Sequence, residues 1–524
     1  SYKEWYEEHH PTGEELMHQR EVEFDVQPLI SIVVPTYQTP IPFLKDMINS
    51  VREQSYEKWE LCIADGSLVG NENDAKAISV RKELNRYSMA DKRIKVVYLE
   101  KNLGIADNTN QALKLATGDY VGLFDHDDML TPDALYEIVK AINEYSYDVL
   151  YTDEDKISED SCDYKKPVFK PDYSPELLNS NNYITHFFVA KKSIVDQVGG
   201  FREEYDGSQD YDFIFRCIEL AKKVGHISKV LYHWRMHSGS VSGDPSSKMY
   251  AYDAGKKAIQ SHYERVGIHA KVEHRERLGL YHTEYKILEQ PLVSAIIYGT
   301  HDEKKKKCLE CLKRQKYSNL EILVCDGINS ESINAFAKKA SGTYLFFISE
   351  DLESTKNDAL LQMVGTLQVQ NVGAVGGKVI NQKHTVEDAG IVFRMDGNLC
   401  KANYGIGDCD YGDMFRAKVT SNYSVLSLNC FMTPKSLFEE LGGFTKHFSL
   451  EFASADYCLK MGQQGERCVM QACTIWKSED GKKNNAIDDV ERARFYKKWQ
   501  EVLAMGDPYY NSNYAKQGTL YILE

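Results

Sequence analysis

The sequence predicts an α/β protein built from two tandem domains, each with a Rossmann-like, mainly parallel sheet. Three observations predict this fold class. The chain has 524 residues, which is too long for one ordinary domain. Four segments recur along it in the same order. In the first copy, apolar strand-like runs alternate with amphipathic helical ones, which is typical of parallel α/β sheets.

The internal repeat defines the domain boundaries. The matched pairs of segments are "PLISIVVPTYQTP" with "PLVSAIIYGTHDE", "EKWELCIADGS" with "SNLEILVCDGIN", "KLATGDYVGLFDHDD" with "KKASGTYLFFISED", and "VGGFREEYDGSQDYDFIFRC" with "LGGFTKHFSLEFASADYCLK". We therefore predict one domain at 28–288 and a second at 289–506. A polar, aromatic-rich leader (1–27) precedes them, and a Tyr-rich tail (507–524) follows.

Within the first copy, each predicted strand leads into a helix. The strand–helix pairs are "ISIVVP" with "IPFLKDMINSVREQ", "ELCIAD" with "DAKAISVRKELNRYS", and "IKVVYL" with "IADNTNQALKLATG". A further strand, "YVGLFD", then ends in an acidic stretch. This alternation favours right-handed βαβ units. Because ligands bind beyond the carboxyl ends of such strands, the polar residues at 35–37, 65 and 125–127 should converge on one edge of the sheet.

The acidic stretch "GLFDHDDML" (122–130) places three aspartates within four positions. Two unit charges ~4 Å apart repel by roughly 4 kcal/mol at an effective dielectric of ~20. Solvation and a bound cation both relieve this repulsion, and Asp128 could simply belong to the turn before a helix that starts near Thr131. The convergence of three polar strand ends favours a hard divalent cation, which prefers oxygen ligands.

Composition excludes several classes of protein. Asp and Glu number 78 against 63 Lys and Arg, a net charge of -15 without a long basic stripe, so nucleic acid is not an expected partner. No apolar run reaches the roughly 18 to 20 residues that span a bilayer. The 12 scattered cysteines predict reduced thiols rather than a disulfide framework or a zinc site. We expect a cytoplasmic protein, with peripheral association at the inner face of the cytoplasmic membrane left open.

Six stretches of the first copy carry a family resemblance. They are "SIVVPTYQTP", "NLGIADNTNQALKLATGDYVGLFDHDDMLTPDALYEIV", "YTDEDKI", "KPDYSPELLNSNNYITHF", "GGFREEYDGSQDYDFIFR" and "HISKVLYHWRMHSGSVS". In this order they resemble the family 2 glycosyltransferases of the GT-A fold, in the bacterial surface-polysaccharide branch. The match covers nearly all of 28–245. The second copy resembles the second transferase domain of tandem enzymes of this kind, which implies two tandem GT-A domains.

The resemblance implies roles for residues at the predicted edge. It implies a nucleotide-sugar donor held by the strand ends, a Mn²⁺ or Mg²⁺ ion at the D-x-D motif, and a general base after the Gly-Gly-Phe turn. The residues it assigns are Pro35, Thr36, Tyr37, Asp65 and Asp125 to the donor, Asp127 and His233 to the metal, and Asp210 to the base. His237 is the lesser alternative to His233. From the residues alone, Asp210 and Asp212 could equally cap a helix.

These residues would suit transfer of a sugar with inversion. One carboxylate must deprotonate the incoming hydroxyl while a cation stabilises the departing diphosphate. The resemblance thus implies an inverting, metal-dependent hexosyl- or deoxyhexosyl-transferase that acts on a glycan or polyprenyl-linked glycan acceptor in surface-polysaccharide synthesis. Two alternatives remain, namely a polysaccharide polymerase with both domains active and a glycan-binding scaffold.

The second copy has lost the residues that this chemistry needs. Ser454 stands where the first copy has Asp210, and Ser349-Glu350-Asp351 replaces the D-x-D motif. Aligning "LYHWR" with "TIWKS" sets Trp476 against the candidate metal histidine. We therefore predict that the second domain is a degenerate pseudo-transferase that supports the first or holds the growing glycan.

Overall fold

The computed structural model confirms an α/β chain with two sheet-containing units. The residues that it describes are 1–67, 74–237, 248–479 and 488–523. The first compact unit takes in Ser1–Tyr173 and Asn182–Gly267, and the second takes in Ser174–Asn181 and Ile268–Ile522. The predicted domain boundary at residue 288 stays a prediction. Within the described residues, no helix is both long and apolar enough to cross a membrane.

The first unit is built on a nine-stranded sheet. Its strands are β1 (Ile30–Thr36), β2 (Trp59–Asp65), β3 (Ile94–Tyr98), β4 (Tyr120–Leu123), β5 (Met129–Leu130), β6 (Val149–Ile157), β7 (Tyr164–Val168), β8 (Phe188–Lys191) and β9 (Val224–Arg235). The helices up to the end of this unit are α1 (Tyr2–His9), α2 (Gly13–Glu21), α3 (Ile41–Arg52), α4 (Ala75–Ala90), α5 (Ile105–Leu113), α6 (Ala134–Tyr145), α7 (Pro175–Leu178), α8 (Lys192–Val198), α9 (Gln209–Leu220) and α10 (Met249–Val266). Of these, α7 belongs to the second unit.

The sheet of the first unit has the order β3-β2-β1-β4-β8-β6-β9-β5, with β7 paired to β6. The strands β3, β2, β1 and β4 run parallel, as the strand–helix alternation predicts. β8 is antiparallel to both of its neighbours, and β6 and β9 are parallel again. The carboxyl ends of β1, β2 and β4 therefore lie at one edge of the sheet.

Two helices illustrate why the sequence folds this way. α3 buries Phe43, Leu44, Met47, Ile48 and Val51, a helical spacing that lays one apolar face on the sheet. The helix start expected near Thr131 is also confirmed, because α6 begins at Ala134 with Asp133 as its N-cap residue. Apolar residues of both helices pack in one hydrophobic core with those of β1 and β2. The polar residues at the carboxyl ends of these strands lie at the edge of that core.

The second unit repeats this architecture. Its strands are β10 (Ala270–His274), β11 (Tyr281–Tyr285), β12 (Val293–Tyr298), β13 (Leu320–Cys325), β14 (Tyr344–Ser349), β15 (Leu352–Ser354), β16 (Val372–Ile380), β17 (Val386–Asp388), β18 (Ile391–Phe393), β19 (Leu399–Lys401), β20 (Ser421–Tyr423), β21 (Cys430–Pro434) and β22 (Arg467–Ser478). Its further helices are α11 (Asp302–Lys313), α12 (Ser330–Lys339), α13 (Ala359–Leu367), α14 (Lys435–Glu440), α15 (Leu450–Gln463) and α16 (Asp489–Ala504). The main sheet order is β13-β12-β14-β21-β16-β22-β15.

A pair of matching side-chain contacts supports the internal repeat in three dimensions. In the first unit, Asn110 Nδ2 donates to the carbonyl of Phe201 (2.8 Å) and its Oδ1 accepts from the Phe201 amide (2.7 Å). In the second unit, Asn334 makes the same two bonds to Phe444, at 2.7 and 3.0 Å. Both asparagines hold the phenylalanine of a Gly-Gly-Phe turn. The two copies thus share local detail as well as strand order.

The second unit lacks one part of the first. Forty-five positions separate Asp65 from Asn110, but eight separate the equivalent Asp326 from Asn334. In the described residues of the second unit, the chain accordingly passes from β13 to α12 without counterparts of α4 and β3. This loss removes the elements that flank the end of β2 in the first unit.

The short helix α7 is held in the second unit by an ion pair. The side chain of Glu176 is 2% exposed and accepts from Arg467 Nε at 2.8 Å and from Asn422 Nδ2 at 2.8 Å. The Glu176 amide also donates to Asn422 Oδ1 at 3.1 Å. A carboxylate this deeply buried is stable only with such partners. One residue after this segment, at Asn182, the chain returns to the first unit.

Candidate functional site

The predicted donor residues lie at the carboxyl ends of neighbouring strands. Thr36 pairs with Asp65 across β1 and β2, and Pro35 pairs with Ala64 one position earlier. Tyr37 follows the end of β1 and is 47% exposed. The structure therefore brings these four predicted residues together at one edge.

The Asp65 carboxylate is fully buried at this edge. Its Oδ1 accepts from Thr36 Oγ1 at 2.9 Å and from Ser67 Oγ at 2.5 Å. Its Oδ2 lies 3.6 Å from Arg81 Nε, and among the described residues that oxygen has no hydrogen-bond partner. Buried polar atoms are nearly always hydrogen-bonded, so an unpartnered oxygen here is a candidate ligand-binding atom.

The three aspartates after β4 have different surroundings. Asp128 is fully buried and accepts from Tyr232 Oη at 2.6 Å and from the Arg235 amide at 2.8 Å. Burial, together with the charges of Asp127 and Asp125, raises the pKa of Asp128 well above its usual value. Asp128 therefore does more than form a turn, because it fixes the end of β9 beside the other two carboxylates.

Two imidazoles complete this acidic cluster. His186 Nε2 lies 3.7 Å from Asp125 Oδ2, and His237 Nε2 lies 2.8 Å from Asp127 Oδ2. Ligand atoms of Asp125, Asp128 and His186 also lie within 4.8 Å of one another. Carboxylate oxygens with imidazole nitrogen are a donor set that suits Mn²⁺, and Mg²⁺ takes the oxygens. The residues present thus fit a divalent ion.

His233 does not point at the aspartates. Its Nδ1 lies 2.5 Å from Asp155 Oδ1, and its Nε2 lies 3.0 Å from the Tyr6 hydroxyl. With both nitrogens engaged, His233 has none left for an ion. The assignment of a metal ligand to His233 is therefore not favoured by this geometry, and His237, the lesser alternative, occupies the expected place beside Asp127.

Asp210 lies in the first turn of α9 and faces the same cluster. Its Oδ2 accepts from Asn182 Nδ2 at 3.2 Å. It is close enough to Asp125 and His186 to interact electrostatically with both. Burial raises the pKa of Asp210, and His186 acts in the opposite direction. The neighbouring Asp212 instead forms ion pairs with Arg202 and Arg216, so the two aspartates of "QDYD" are clearly distinguished.

A buried ion pair that the sequence analysis missed holds the loop carrying His186. Lys170 Nζ lies 3.1 Å from Glu154 Oε2 and donates to the carbonyls of Ile184 and His186, both at 2.5 Å. The same carboxylate oxygen accepts from Thr185 Oγ1 and from the His186 amide. Both ends of the His186 backbone are thus fixed. Both charged residues fall in quoted motifs, "YTDEDKI" and "KPDYSP", but nothing in the sequence indicates that they pair.

Lys170→Met should destabilise the chain by about 3 to 5 kcal/mol, because it leaves the buried Glu154 charge without its partner. Adding Glu154→Gln to this variant should recover most of that loss. Chemical unfolding of the single and double variants measures both effects. The control is Lys191→Met. Lys191 is 38% exposed and forms an ion pair with Asp148, so its loss should cost ~1 kcal/mol or less. Equal losses in both lysine variants would contradict this reading.

A second charge network surrounds the buried side chain of His226 in β9 and includes one buried and one exposed carboxylate. Its imidazole is 1% exposed and contacts Asp153 Oδ1 and Asp172 Oδ1, each at 2.8 Å. Although burial opposes the charged form, these two carboxylates raise the pKa of His226 to about 9 from its ordinary 6.5. The folded chain therefore holds a charged imidazole at neutral pH.

This raised pKa predicts a pH-dependent stability. The contribution should be fully present below pH ~6.5 and lost as the pH rises to about 9, amounting to about 3 kcal/mol at most. Unfolding of wild type and His226→Gln at pH 6 and pH 9 measures it. The wild-type advantage over His226→Gln should shrink over that interval. An advantage that is constant with pH would show that His226 is neutral in the folded chain.

The corresponding edge of the second unit is altered. Asp326 is 82% exposed, in contrast to the buried Asp65. Ser349 Oγ donates to Asp351 Oδ1 at 2.5 Å, and Ser478 Oγ donates to Asp351 Oδ2 at 3.2 Å. The hydroxyl of Ser454, at the position of Asp210, donates to a backbone carbonyl.

One predicted correspondence between the copies is wrong by one residue. In the first unit, Leu130 of β5 pairs with Tyr232. In the second unit, the matching Ser354 of β15 pairs with Trp476. Trp476 thus corresponds to Tyr232, and Lys477 corresponds to His233. Short apolar strands carry little information about register, because only their alternation constrains it.

The chain is similar to known glycosyltransferases. The family model for glycosyl transferase family 2 matches residues 31–201, which include the ends of β1, β2 and β4. Uncharacterized protein y4gI of Sinorhizobium fredii is 32% identical, across 95% of this chain and 58% of that protein. The O-antigen biosynthesis protein RfbC of Myxococcus xanthus is 29% identical, across 93% of this chain and 40% of that protein. The chain thus spans about half the length of these two relatives.

A third relative, an uncharacterized glycosyltransferase of Methanocaldococcus jannaschii, is 30% identical across 43% of this chain and 78% of that protein. That match covers most of the relative. Together with the family model and the acidic edge described above, it establishes that the chain belongs to glycosyl transferase family 2.

Proposed function

We propose that the first unit is an inverting, divalent-metal-dependent glycosyltransferase that moves a sugar from a nucleotide-sugar donor to a glycan or polyprenyl-linked glycan acceptor. The observation that carries the proposal is the convergence of Asp125, Asp127 and Asp210 with two imidazoles at the edge where Asp65 is buried. This arrangement offers one region for a nucleotide, one for a cation and one for a base, and surface-polysaccharide synthesis suits the relative named for O-antigen biosynthesis.

Each group has a defined task in this proposal. Thr36 and Asp65 bind the base of the nucleotide, beside Pro35 and Tyr37. Asp125 binds the ribose side. A carboxylate with a raised pKa can accept the acceptor's hydroxyl proton, which is the role of Asp210. Asn182 orients that carboxylate through its amide.

Mn²⁺ or Mg²⁺ would be held by Asp127 and His237. Asp128, which belongs to the group of ligand atoms with Asp125 and His186, accepts one hydrogen bond on each oxygen and is thereby fixed beside Asp127. When bound, such an ion neutralises charge that develops on the departing diphosphate. Around it, Tyr232 and Arg235 hold the Asp128 carboxylate, and the Arg235 guanidinium donates to the Asp127 carbonyl at 2.7 Å.

We assign the second unit a non-catalytic role. The exposed Asp326, the hydroxyl of Ser454 in place of the Asp210 carboxylate, and the missing counterparts of α4 and β3 in its described residues all favour this assignment. The polymerase alternative would require a general base at the position of Ser454. A neutral serine hydroxyl cannot accept a proton as a carboxylate does.

A donor panel tests the proposal. The full chain is incubated with UDP-, GDP- and dTDP-linked sugars and Mn²⁺ or Mg²⁺, and free nucleoside diphosphate is measured. We expect slow release with one donor, and no release in the presence of a chelator. A ligand at 100 times its Kd should also stabilise the chain by about 2.7 kcal/mol. If no donor gives either release or stabilisation, the scaffold alternative is favoured.

A further inference from the structure

The leader helix α1 contacts the first unit through two tyrosine hydroxyls. Tyr2 Oη donates to Asp155 Oδ2 at 2.7 Å, and Tyr6 Oη lies 3.0 Å from His233 Nε2. Asp155 Oδ1 and His233 Nδ1 are 2.5 Å apart. Asp155 is fully buried and His233 is 2% exposed, so these contacts are shielded from water.

The four groups form one matched hydrogen-bond chain. With Nδ1 protonated, His233 donates to Asp155 and accepts the Tyr6 hydroxyl at Nε2, which satisfies both ring nitrogens. Tyr2 satisfies the other oxygen of Asp155. Hydrogen bonds to a charged group are stronger than those between neutral groups. The hydroxyls of α1 therefore do more than pack.

Ring contacts seat the same helix. The rings of Trp5 and Phe169 meet edge to face with centroids 5.2 Å apart, and those of Tyr6 and Tyr164 lie 4.3 Å apart. Trp5 and Tyr6 are each 7% exposed. The aromatic contacts thus pack α1 against Tyr164 of β7 and against Phe169. The two hydroxyls add hydrogen bonds to the Asp155 and His233 side chains.

The contacted strand leads directly to the acidic cluster. His233 lies between Asp155 of β6 and Met129 of β5. Two residues further, the Arg235 amide donates to Asp128, and two residues beyond that His237 meets Asp127. A shift of His233 along β9 would move both contacts.

We propose that α1 is a positioning element, in which Tyr2 and Tyr6 hold the Asp155–His233 pair and His233 fixes the strand end that presents Arg235 and His237 to the aspartates. This gives His233 a function other than metal ligation, and it gives the leader a function in the site. The proposal rests on the proposed function only for its metal-binding readout.

The test is the full-length double variant Tyr2→Phe/Tyr6→Phe, which removes two hydroxyls and keeps both rings. Hydrogen–deuterium exchange at the amides of Arg235, Met236 and His237 should be roughly tenfold faster. Mn²⁺ affinity, titrated by electron paramagnetic resonance without any donor, should weaken by about tenfold. Tyr145→Phe, at a tyrosine that is 54% exposed, should change neither quantity.

The two readouts separate this inference from the proposed function. If wild type binds no Mn²⁺, the metal assignment fails and the exchange rates alone decide the role of α1. Unchanged exchange in the double variant overturns the inference. So does unchanged Mn²⁺ affinity beside a wild type that binds the ion. Faster exchange with a preserved thermal midpoint supports it, because a merely structural helix would alter the midpoint first.

Discussion

Asp210→Asn is expected to lower turnover by about 10² to 10⁴-fold while donor binding stays near the wild-type level. Asparagine keeps the size of the side chain and its contact with Asn182, but it cannot accept the acceptor's proton. The loss should therefore appear in kcat rather than in the donor Kd. Steady-state transfer and donor binding by calorimetry measure the two quantities separately.

The pH profile gives a second check on Asp210. Burial raises its pKa, so wild-type kcat should fall on the acidic side at a pH above the ordinary range of an aspartate. The variant should lose that acidic limb. Asp196→Asn, which removes a carboxylate that is 60% exposed, is the control and should behave as wild type. A variant at Asp210 with the wild-type rate would remove this residue from the role of base.

Asp127→Ala is expected to remove transfer activity by at least about 10²-fold, whereas Asp351→Ala should leave it within a few-fold of wild type. Asp127 contacts His237 at 2.8 Å, so its loss would remove one of the two proposed metal ligands. Asp351 is its counterpart in the second unit and is satisfied by Ser349 and Ser478.

The two substitutions form a matched pair, because each removes the aspartate at the same position of a copy. Transfer is measured across Mn²⁺ concentrations, with chelator as the metal-free reference. If the two variants abolished two different transfers, the polymerase alternative would replace ours. Full activity of wild type in chelator would refute the metal assignment altogether.

The sheet and the convergence at its edge were predictable because they depend on local pattern. Apolar runs that end in polar residues specify parallel strands, and the bond from Thr36 to Asp65 follows from their register. The sequence does not distinguish His233 from His237 as a metal ligand. His233 lies in β9 and His237 lies two residues beyond its end, and nothing in their local pattern shows which of them contacts Asp127.

Other parts of the site depend on contacts between distant segments. Lys170 and Glu154 are 16 positions apart and pair only because β6 and the following loop fold together. His186 reaches Asp125 from 61 positions away for the same reason. Such contacts are set by tertiary packing, on which composition and periodicity carry no information.

The contacts that hold α7 in the second unit affect how experiments on shortened chains should be interpreted. A first unit produced alone and ending at Gly267 would keep Ser174–Asn181 in its sequence but would lack Asn422 and Arg467. Glu176 would then lose its counter-ion, and the segment just before Asn182 would lose its anchor. Inactivity of that fragment would therefore not identify the second unit as a catalyst, because Ser174–Asn181 would have lost its hydrogen-bond partners.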